Sequence, residues 1–229
     1  MDLLREALAV HPIATIAISG GSSPRPMFEL FAKNSFLWKQ VHVFWVDERY
    51  VPAWDPLSNF RLANDVWLTP ANVPAENIHR IPTEAEPHEC ARQYAEHIRW
   101  FFQSRLGLKP GEPPRFDVIH RGMGSDGHTA SLFPGEALIE DHQRLAAAVW
   151  VEKLRQWRIT LLPGVLEAAR HTVVLATGED KAMALHAVLT EAYDPLKLPA
   201  QIASRGGEAI WFADQAASAF LPDLPKEVR

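Results

Sequence analysis

Short apolar runs alternate along the chain with segments of helical periodicity. One of them, V-F-W-V at residues 43–46, is apolar at every position, which is typical of a strand covered on both faces. This alternation predicts an α/β fold with a doubly wound, mainly parallel sheet flanked by helices. The predicted strands span residues 14–19, 41–46, 116–119, 147–151, 172–177 and 209–212.

Helical spacing is clearest between residues 87 and 106, where Tyr94, Ile98 and Phe101 fall on one face. Further helices are predicted at residues 24–32, 58–67, 163–170, 180–190 and 214–220. The turn-rich segment 109–114 is too short for an inter-domain linker, and the sequence contains no internal repeat. We therefore expect a single domain over residues 1–229.

The composition is that of an ordinary globular protein, with 47% hydrophobic and 22% charged residues among 229. A formal net charge of -5 argues against general nucleic-acid binding, which requires a basic face, but leaves room for a phosphorylated substrate. No apolar run approaches the roughly 18 residues of a membrane span, and the first residues are acidic where a secretory signal is basic. The single cysteine, Cys90, fits a reducing compartment, so we expect a cytoplasmic protein.

The first predicted strand ends in S-G-G-S-S-P at residues 19–24, directly before a helix. Glycines allow the backbone to approach a ligand, and proline in the first helical turn leaves the helix N-terminus directed at whatever binds there. We interpret this segment as a phosphate loop; an ordinary strand-to-helix turn is the alternative. Its candidate phosphate-binding residues are Ser19, Gly20, Gly21, Ser22 and Ser23.

Three charged residues, Asp47, Glu48 and Arg49, follow the second predicted strand. An arginine can bind a phosphate group through two parallel N–H donors. We therefore take Asp47 and Arg49 as candidate substrate-binding residues. An ion pair within the loop, between Arg49 and either acidic residue, is the alternative.

The third predicted strand leads into G-M-G-S-D-G-H-T-A-S-L-F-P-G at residues 122–135. Residues 122–127 match the dinucleotide fingerprint G-x-G-x-x-G, but that fingerprint must open a long helix, and Pro134 and Gly135 interrupt it within two turns. No strand ending in an acidic residue follows about 20 residues later, as ribose recognition requires. We therefore reject nucleotide binding.

This glycine-rich segment carries Asp126 and His128 at the end of a strand. Histidine titrates near neutral pH, so it can take a proton from water while the aspartate fixes its tautomer and stabilises its cation. A histidine with a purely structural role is the alternative. The pair makes this segment the strongest candidate for catalysis.

Two further cations complete the candidate site. Arg158 precedes a predicted helix, and Lys181 lies in the first turn of another, where a cation opposes the helix dipole. A bound anion would explain Lys181; an exposed lysine without a role is the alternative. The chain has no G-x-S-x-G elbow and no zinc-ligand spacing, which leaves a water-activating site without metal or cofactor.

Together these segments resemble the 6-phosphogluconolactonase family. The run at residues 122–134 is highly specific, and segments 19–24, 47–52, 158–160 and 178–181 occupy the family order around it. The resemblance implies a Rossmann-like fold and hydrolysis of a phosphorylated sugar lactone, 6-phosphogluconolactone, in the oxidative pentose phosphate pathway. It also implies that His128 is the general base, that Asp126 orients it, and that the 19–23 loop and the cations at 49, 158 and 181 hold the phosphate or the developing oxyanion. We expect a monomer or small homo-oligomer.

Two features depart from the family pattern. About a dozen residues precede the first predicted strand, where the family usually has an additional helix. The strand before the catalytic segment ends in His120 and Arg121, where aliphatic residues are usual. Between a place near the active site and a side chain turned to solvent, we favour the second for Arg121.

Two other functions are weighed against the lactonase. Glucosamine-6-phosphate deaminase/isomerase has a similar fold and loop, but it uses an acidic residue five positions after the loop histidine, where this chain has Phe133. A non-catalytic sugar-phosphate sensor should carry a DNA-binding segment, for which the short N-terminal segment has no room, and it would be free to lose the Asp126–His128 pair. Both comparisons favour the lactonase.

Overall fold

The computed structural model describes residues 1–205 and 208–221. Its α-helices are α1 (Asp2–Val10), α2 (Arg25–Lys33), α3 (Asn59–Ala63), α4 (Pro87–Leu106), α5 (Pro163–Leu166) and α6 (Ala182–Thr190). Its strands are β1 (Ala14–Ile18), β2 (Val41–Trp45), β3 (Asp47–Arg49), β4 (Ile78–His79), β5 (Val118–Gly122), β6 (Ala146–Val151), β7 (Gln156–Leu161), β8 (His171–Ala176) and β9 (Glu208–Ala213). In this described part of the chain, no helix is long and apolar enough to cross a membrane.

The main sheet has six strands in the order β4-β2-β1-β5-β8-β9, and all neighbouring pairs are parallel. The chain moves outward from β1 to β2 and β4, then returns to the other side of β1 with β5 and continues outward. The strand order therefore reverses between β1 and β5. In doubly wound sheets, ligands bind outside the carboxyl ends of the strands at this switch point. The predicted fold class is confirmed, and its topology directs attention to the loops after β1 and β5.

Strands β1 and β2 are buried at every position, as the continuous apolar runs predicted. The segment before β1 forms helix α1, whose Leu4 and Ala7 are buried and which contacts β1. The residues before the first strand therefore form a helix that packs on the sheet.

A second, three-stranded antiparallel sheet has the order β3-β7-β6. Val46, between β2 and β3, joins the two sheets: its N–H donates to Ile18 O at 2.8 Å, and its carbonyl accepts from Leu161 N at 2.8 Å. The chain thus passes from the central sheet into the small one at the carboxyl end of β2. This passage places β3 and β7 beside the switch point.

Several predicted elements need correction. Residues 147–151 form β6 of the small sheet instead of a strand of the parallel sheet. Strand β7, which contains Arg158, was not predicted, and residues 47–49 form β3 instead of a loop. Residues 214–220 form turns instead of a helix, and the helix predicted at 163–170 ends at residue 166. Strands β3 and β7 pair with each other, and short strands depend on such pairing more than on their own sequence.

Arg121 is not turned to solvent, contrary to our expectation. Its side chain is 0% exposed, and none of its guanidinium nitrogens has a hydrogen-bond partner among residues 1–205 and 208–221. Burial lowers the pKa of Arg121 to about 10, partly offset by Glu167 and Tyr193. Arg121 lies within β5, where every residue from Val118 to Arg121 is buried.

Three histidines form a hydrogen-bonded chain between β2, β4 and α4. His42 Nδ1 lies 2.9 Å from His79 Nε2, and His79 Nδ1 lies 2.8 Å from His97 Nε2. Burial is the main cause that lowers the pKa of His42 to about 4 and that of His79 to about 3. Both rings are therefore neutral in the folded protein over the range where free histidine becomes protonated.

This neutral chain predicts acid sensitivity of the fold. Below about pH 6.5 the unfolded state binds protons that the folded state does not, so the free energy of unfolding falls as the pH is lowered towards the depressed pKa values. His79 alone should account for a loss of about 1–2 kcal/mol between about pH 7 and about pH 5. Urea unfolding at both pH values should show that His79→Gln removes this part of the pH dependence. His11→Gln, at an exposed histidine, is the control; an equal pH dependence in wild type and His79→Gln would contradict the assignment.

Candidate active site

Asp126 and His128 form a hydrogen-bonded pair in the loop after β5. His128 Nδ1 lies 2.5 Å from Asp126 Oδ1, and the backbone N–H of His128 donates to the same oxygen at 3.2 Å. The side chain of His128 is 27% exposed and that of Asp126 is 32% exposed, so the pair is accessible to a small molecule. Within the described residues, Nε2 of His128 has no hydrogen bond. The arrangement has the geometry of a general base with its orienting carboxylate.

The charge state of Asp126 is fixed by its partners. Burial raises the pKa of Asp126, but the hydrogen bonds from His128 and Lys153 outweigh it, and the pKa falls well below its usual range. Asp126 is therefore ionised at neutral pH. An ionised carboxylate at Nδ1 places the imidazole proton on that nitrogen and leaves Nε2 able to accept one.

Glycines at two positions make this tight loop possible. Gly124 N donates to His128 O at 2.8 Å, and Gly127 N donates to Gly124 O at 3.0 Å. Gly127 has a φ of +78°, which favours glycine, and a Cβ on Gly124 would lie 1.9 Å from His128 Nδ1. The glycine at 124 therefore leaves the space that the imidazole ring occupies.

The loop is anchored to the small sheet through Ser131. Its hydroxyl donates to Asp47 Oδ2 at 2.7 Å, and its backbone N–H donates to Thr160 Oγ1 at 3.2 Å. Asp47 and Thr160 are themselves directly opposite in the pairing of β3 with β7. Asp47, which we predicted to bind substrate, is 5% exposed and holds the loop that carries Asp126 and His128.

Glu48 is a helix cap. Its carboxylate accepts from the backbone N–H groups of Arg49, Asn59 and Phe60 at 2.7–2.8 Å and from the hydroxyl of Ser58 at 3.0 Å. Burial raises the pKa of Glu48, and these hydrogen bonds oppose that effect. Glu48 therefore adds acceptors for the first N–H groups of helix α3, whose N-cap residue is Ser58.

The antiparallel register places Arg49 directly opposite Arg158. The Nε atoms of both are buried and have no hydrogen-bond partner in the described part of the chain, although Arg49 Nη1 donates to Leu57 O at 2.5 Å. Burial and the charge of Arg49 lower the pKa of Arg158, while Asp47 raises it. No ion pair joins Arg49 to an acidic residue within the described ranges, in contrast to the alternative raised from the sequence. Like charges opposite each other destabilise a sheet unless an anion lies between them.

The loop after β1 lies against its neighbours at the same edge. A Cβ on Gly20 would lie 2.0 Å from Asn59 Oδ1, and the hydroxyls of Ser23 and Thr177 lie 3.3 Å apart, which joins this loop to the end of β8. Lys181, in the turn before α6, pairs with Asp180 at 3.1 Å and is 19% exposed on its side chain. The loop residues and Lys181 are thus at the carboxyl edge of the sheet, but within residues 1–205 and 208–221 no hydrogen bond or ion pair joins Lys181 to the arginine pair.

Lys153, which the sequence did not predict as a site residue, lies beside the Asp126–His128 pair. Its ammonium contacts Asp126 Oδ2 and lies 4.2 Å from the ring centroid of Phe133, which packs on His128 with the centroids 4.2 Å apart. Lys153 belongs to the hairpin loop between β6 and β7, far from the catalytic loop along the chain. No local motif indicates the contact of Lys153 with Asp126, because that contact depends on the pairing of β6 with β7.

A cavity of about 330 Å³ lies elsewhere, lined by residues that include Glu140, His142, Glu167 and Arg205. It contains none of the predicted site residues, and its several carboxylates are poorly suited to a phosphate. Across residues 1–205 and 208–221, no three His, Cys, Asp or Glu side chains are grouped as metal ligands.

The structure is that of an α/β protein with a doubly wound sheet, an Asp126–His128 pair in the loop after β5, and an arginine pair in the adjoining small sheet. Residues 1–211 match the family described as glucosamine-6-phosphate isomerases/6-phosphogluconolactonase. The chain belongs to this family.

Similar proteins carry the second of these names. A 6-phosphogluconolactonase from Synechocystis sp. is 39% identical over 93% of this chain and 87% of its own length. One from Nostoc sp. is 40% identical over 90% of this chain and 84% of its own length. The crystal structure of 6-phosphogluconolactonase from Thermotoga maritima has a TM-score of 0.79 and 26% identity, covering 93% of this chain and 90% of that one.

The geometry of the loop predicts that two nearby glycine substitutions differ in their effect on the His128 ring. Gly124→Ala should displace the imidazole, because its Cβ would overlap His128 Nδ1, whereas Gly122→Ala meets nothing within 4 Å. In ¹H–¹⁵N spectra of the histidine side chains, we expect the His128 resonances to shift in the first variant and to stay in place in the second. Equal spectra for both variants would show that the ring position does not depend on the glycine.

Proposed function

We propose that this chain hydrolyses 6-phospho-D-glucono-1,5-lactone to 6-phospho-D-gluconate, with His128 as the general base. The observation that carries the proposal is the Asp126–His128 pair, with Nδ1 held at 2.5 Å from the carboxylate and Nε2 left without a protein partner in the described residues. The family membership and the names of the relatives support the same substrate.

The chemistry requires one activated water. Nε2 of His128 takes a proton from water as its oxygen attacks the lactone carbonyl, which gives a tetrahedral intermediate and an imidazolium ion stabilised by Asp126. When the intermediate collapses, the bond from carbon to ring oxygen breaks, and the imidazolium returns its proton to that oxygen. The product is the open-chain acid, and the base is regenerated. Such general-base catalysis typically contributes about 10²–10⁴-fold to the rate, and the lactone already hydrolyses unaided.

The substrate's phosphate needs a cationic site near this pair. Arg49 and Arg158 supply it: they are opposed across two strands and have unpaired buried nitrogens. Lys181 and the loop of residues 19–23 at the same edge of the sheet contribute further donors. A dianion between the arginines would remove the repulsion that their register creates. The phosphate and the developing oxyanion lie at different ends of the substrate, so different members of this set of donors hold them.

The isomerase alternative lacks its acidic group. Phe133 occupies the position five residues after His128, and its ring packs against the imidazole. Isomerisation needs an acid and a base on adjacent carbons, whereas hydrolysis needs only the base. A sensor without catalysis would have no use for the Asp126–His128 pair. The geometry therefore supports the hydrolase over both.

We place the reaction in the cytoplasm, because the single cysteine forms no internal disulfide and fits a reducing compartment. The partner is the small phosphorylated lactone, and the net charge of -5 argues against nucleic acid. A single domain acting as a monomer or small homo-oligomer, without metal or cofactor, stays our prediction.

Replacing the base should abolish most of the activity. With the lactone generated in situ and EDTA present, the wild-type protein should accelerate its decay, and His128→Ala should lose about 10²–10⁴-fold in kcat, the usual share of a general base. The variant should still bind 6-phosphogluconate, because the phosphate donors are intact. Near-normal turnover by His128→Ala would remove the general-base role, and loss of wild-type activity in EDTA would contradict the metal-free mechanism.

Replacing one arginine of the pair should affect binding. Arg158→Gln should raise KM and weaken 6-phosphogluconate binding by roughly 10-fold or more, as expected for the loss of a charge-assisted hydrogen bond, while affinity for unphosphorylated gluconate stays unchanged. Calorimetric titration with both ligands measures this difference. Arg144→Gln, at an exposed arginine paired with Asp141, is the control. Equal loss for both ligands would argue against a phosphate contact.

A further inference from the structure

The hairpin between β6 and β7 brings a lysine to the back of the catalytic pair. Val151 pairs with Gln156, so residues 152–155 form the loop, and Arg155 closes it with a φ of +47°. This geometry holds Lys153 so that its ammonium contacts Asp126 Oδ2, the oxygen that does not face His128. Both carboxylate oxygens therefore have a side-chain partner.

Phe133 supports the same contact from one side. Its ring centroid lies 4.2 Å from the Lys153 ammonium and 4.2 Å from the centroid of the His128 ring, which is inclined by 31° to it. A cation above an aromatic face is attracted by its negative potential. One ring thus packs against both partners of Asp126 and limits their movement.

Fold stability does not account for this ion pair. The Lys153 side chain is 52% exposed and that of Asp126 32% exposed, and ion pairs in such places contribute little to the free energy of unfolding. Orientation is a better account. A carboxylate bonded through one oxygen can rotate about its Cβ–Cγ bond, whereas one bonded through both is fixed in plane. The contact also helps to hold the pKa of Asp126 low, against the effect of burial.

We propose that Lys153 is a positioning residue of the hydrolytic site, which fixes the Asp126 carboxylate so that it holds His128 in its reactive tautomer and orientation. The proposal rests on the function proposed above. Lys153 acts through Asp126 and does not contact the substrate. Its loss should therefore lower kcat and leave KM nearly unchanged.

The first test compares three variants. Lys153→Met keeps the length of the side chain without its charge, and kcat should fall by about 10- to 100-fold, as small misplacements of catalytic groups do. Lys153→Arg should restore most of kcat, because a guanidinium also donates to the carboxylate. Lys197→Met removes another exposed lysine, paired with Glu191 at 2.8 Å, and should retain wild-type kinetics. A loss expressed mainly in KM, or no recovery with arginine, would overturn the proposal.

The second test uses coupling and a spectrum. In an Asp126→Asn background, adding Lys153→Met should cost little more, because the lysine acts through the missing carboxylate. Without any substrate, ¹⁵N spectra should show a changed tautomer balance of His128 in Lys153→Met and a wild-type balance in Lys153→Arg. An unchanged His128 spectrum in Lys153→Met overturns the proposal whatever the kinetics. If the wild-type protein does not hydrolyse the lactone, the proposed function fails, and the spectrum still decides the role of Lys153.

Discussion

A buried set of hydrogen bonds between Thr15 and Asp117 fixes β1 against β5. The Asp117 carboxylate accepts from both the backbone N–H and the hydroxyl of Thr15 at 2.8 and 2.9 Å, and the Thr15 hydroxyl accepts from Asp117 N at 3.0 Å. In parallel strands, a register fixed at one end is carried to the other. The backbone N–H of Ser19 consequently donates to His120 O at 3.1 Å, and the loops that follow the two strands lie side by side. The switch point of the sheet, and with it the catalytic loop, depends on this register.

The site is complete only because the small sheet is joined to the large one. Val46 bonds to both sheets, and the strands beyond it supply what the parallel sheet lacks. Pairing of β3 with β7 brings the arginines together, and the hairpin of β6 and β7 brings Lys153 to the catalytic aspartate. In a parallel sheet, the loops that follow the strands all lie at one edge. In an antiparallel sheet, residues that are distant in the sequence can lie directly opposite each other on neighbouring strands. The Asp126–His128 pair thus lies on a loop of the large sheet, whereas Arg49, Arg158 and Lys153 belong to the small one.

The sequence was most informative where a local pattern corresponds to local structure. Strands β1 and β2 follow from continuous apolar runs, and the Asp126–His128 pair from its position in a glycine-rich loop. It failed where structure depends on pairing between distant segments: strand β7 and the contact of Lys153 have no local signature. The sequence showed that position 121 carries a charged side chain, but it did not show whether that side chain faces solvent or the interior. A fully buried guanidinium contradicts what composition alone would predict. The candidate phosphate-binding roles stay predictions.

The distribution of partners explains why the acidic groups near Arg49 and Arg158 do not pair with them within the described residues. Each acidic group of the site is already bonded elsewhere: Asp47 to a serine hydroxyl, Glu48 to the N–H groups of helix α3, and Asp126 to a histidine and a lysine. Had any of them paired with Arg49 or Arg158, a phosphate would have had to displace a carboxylate, and much of the binding energy would have been lost. Because these acids are bonded elsewhere, the Nε atoms of Arg49 and Arg158 stay without a hydrogen-bond partner in the described part of the chain.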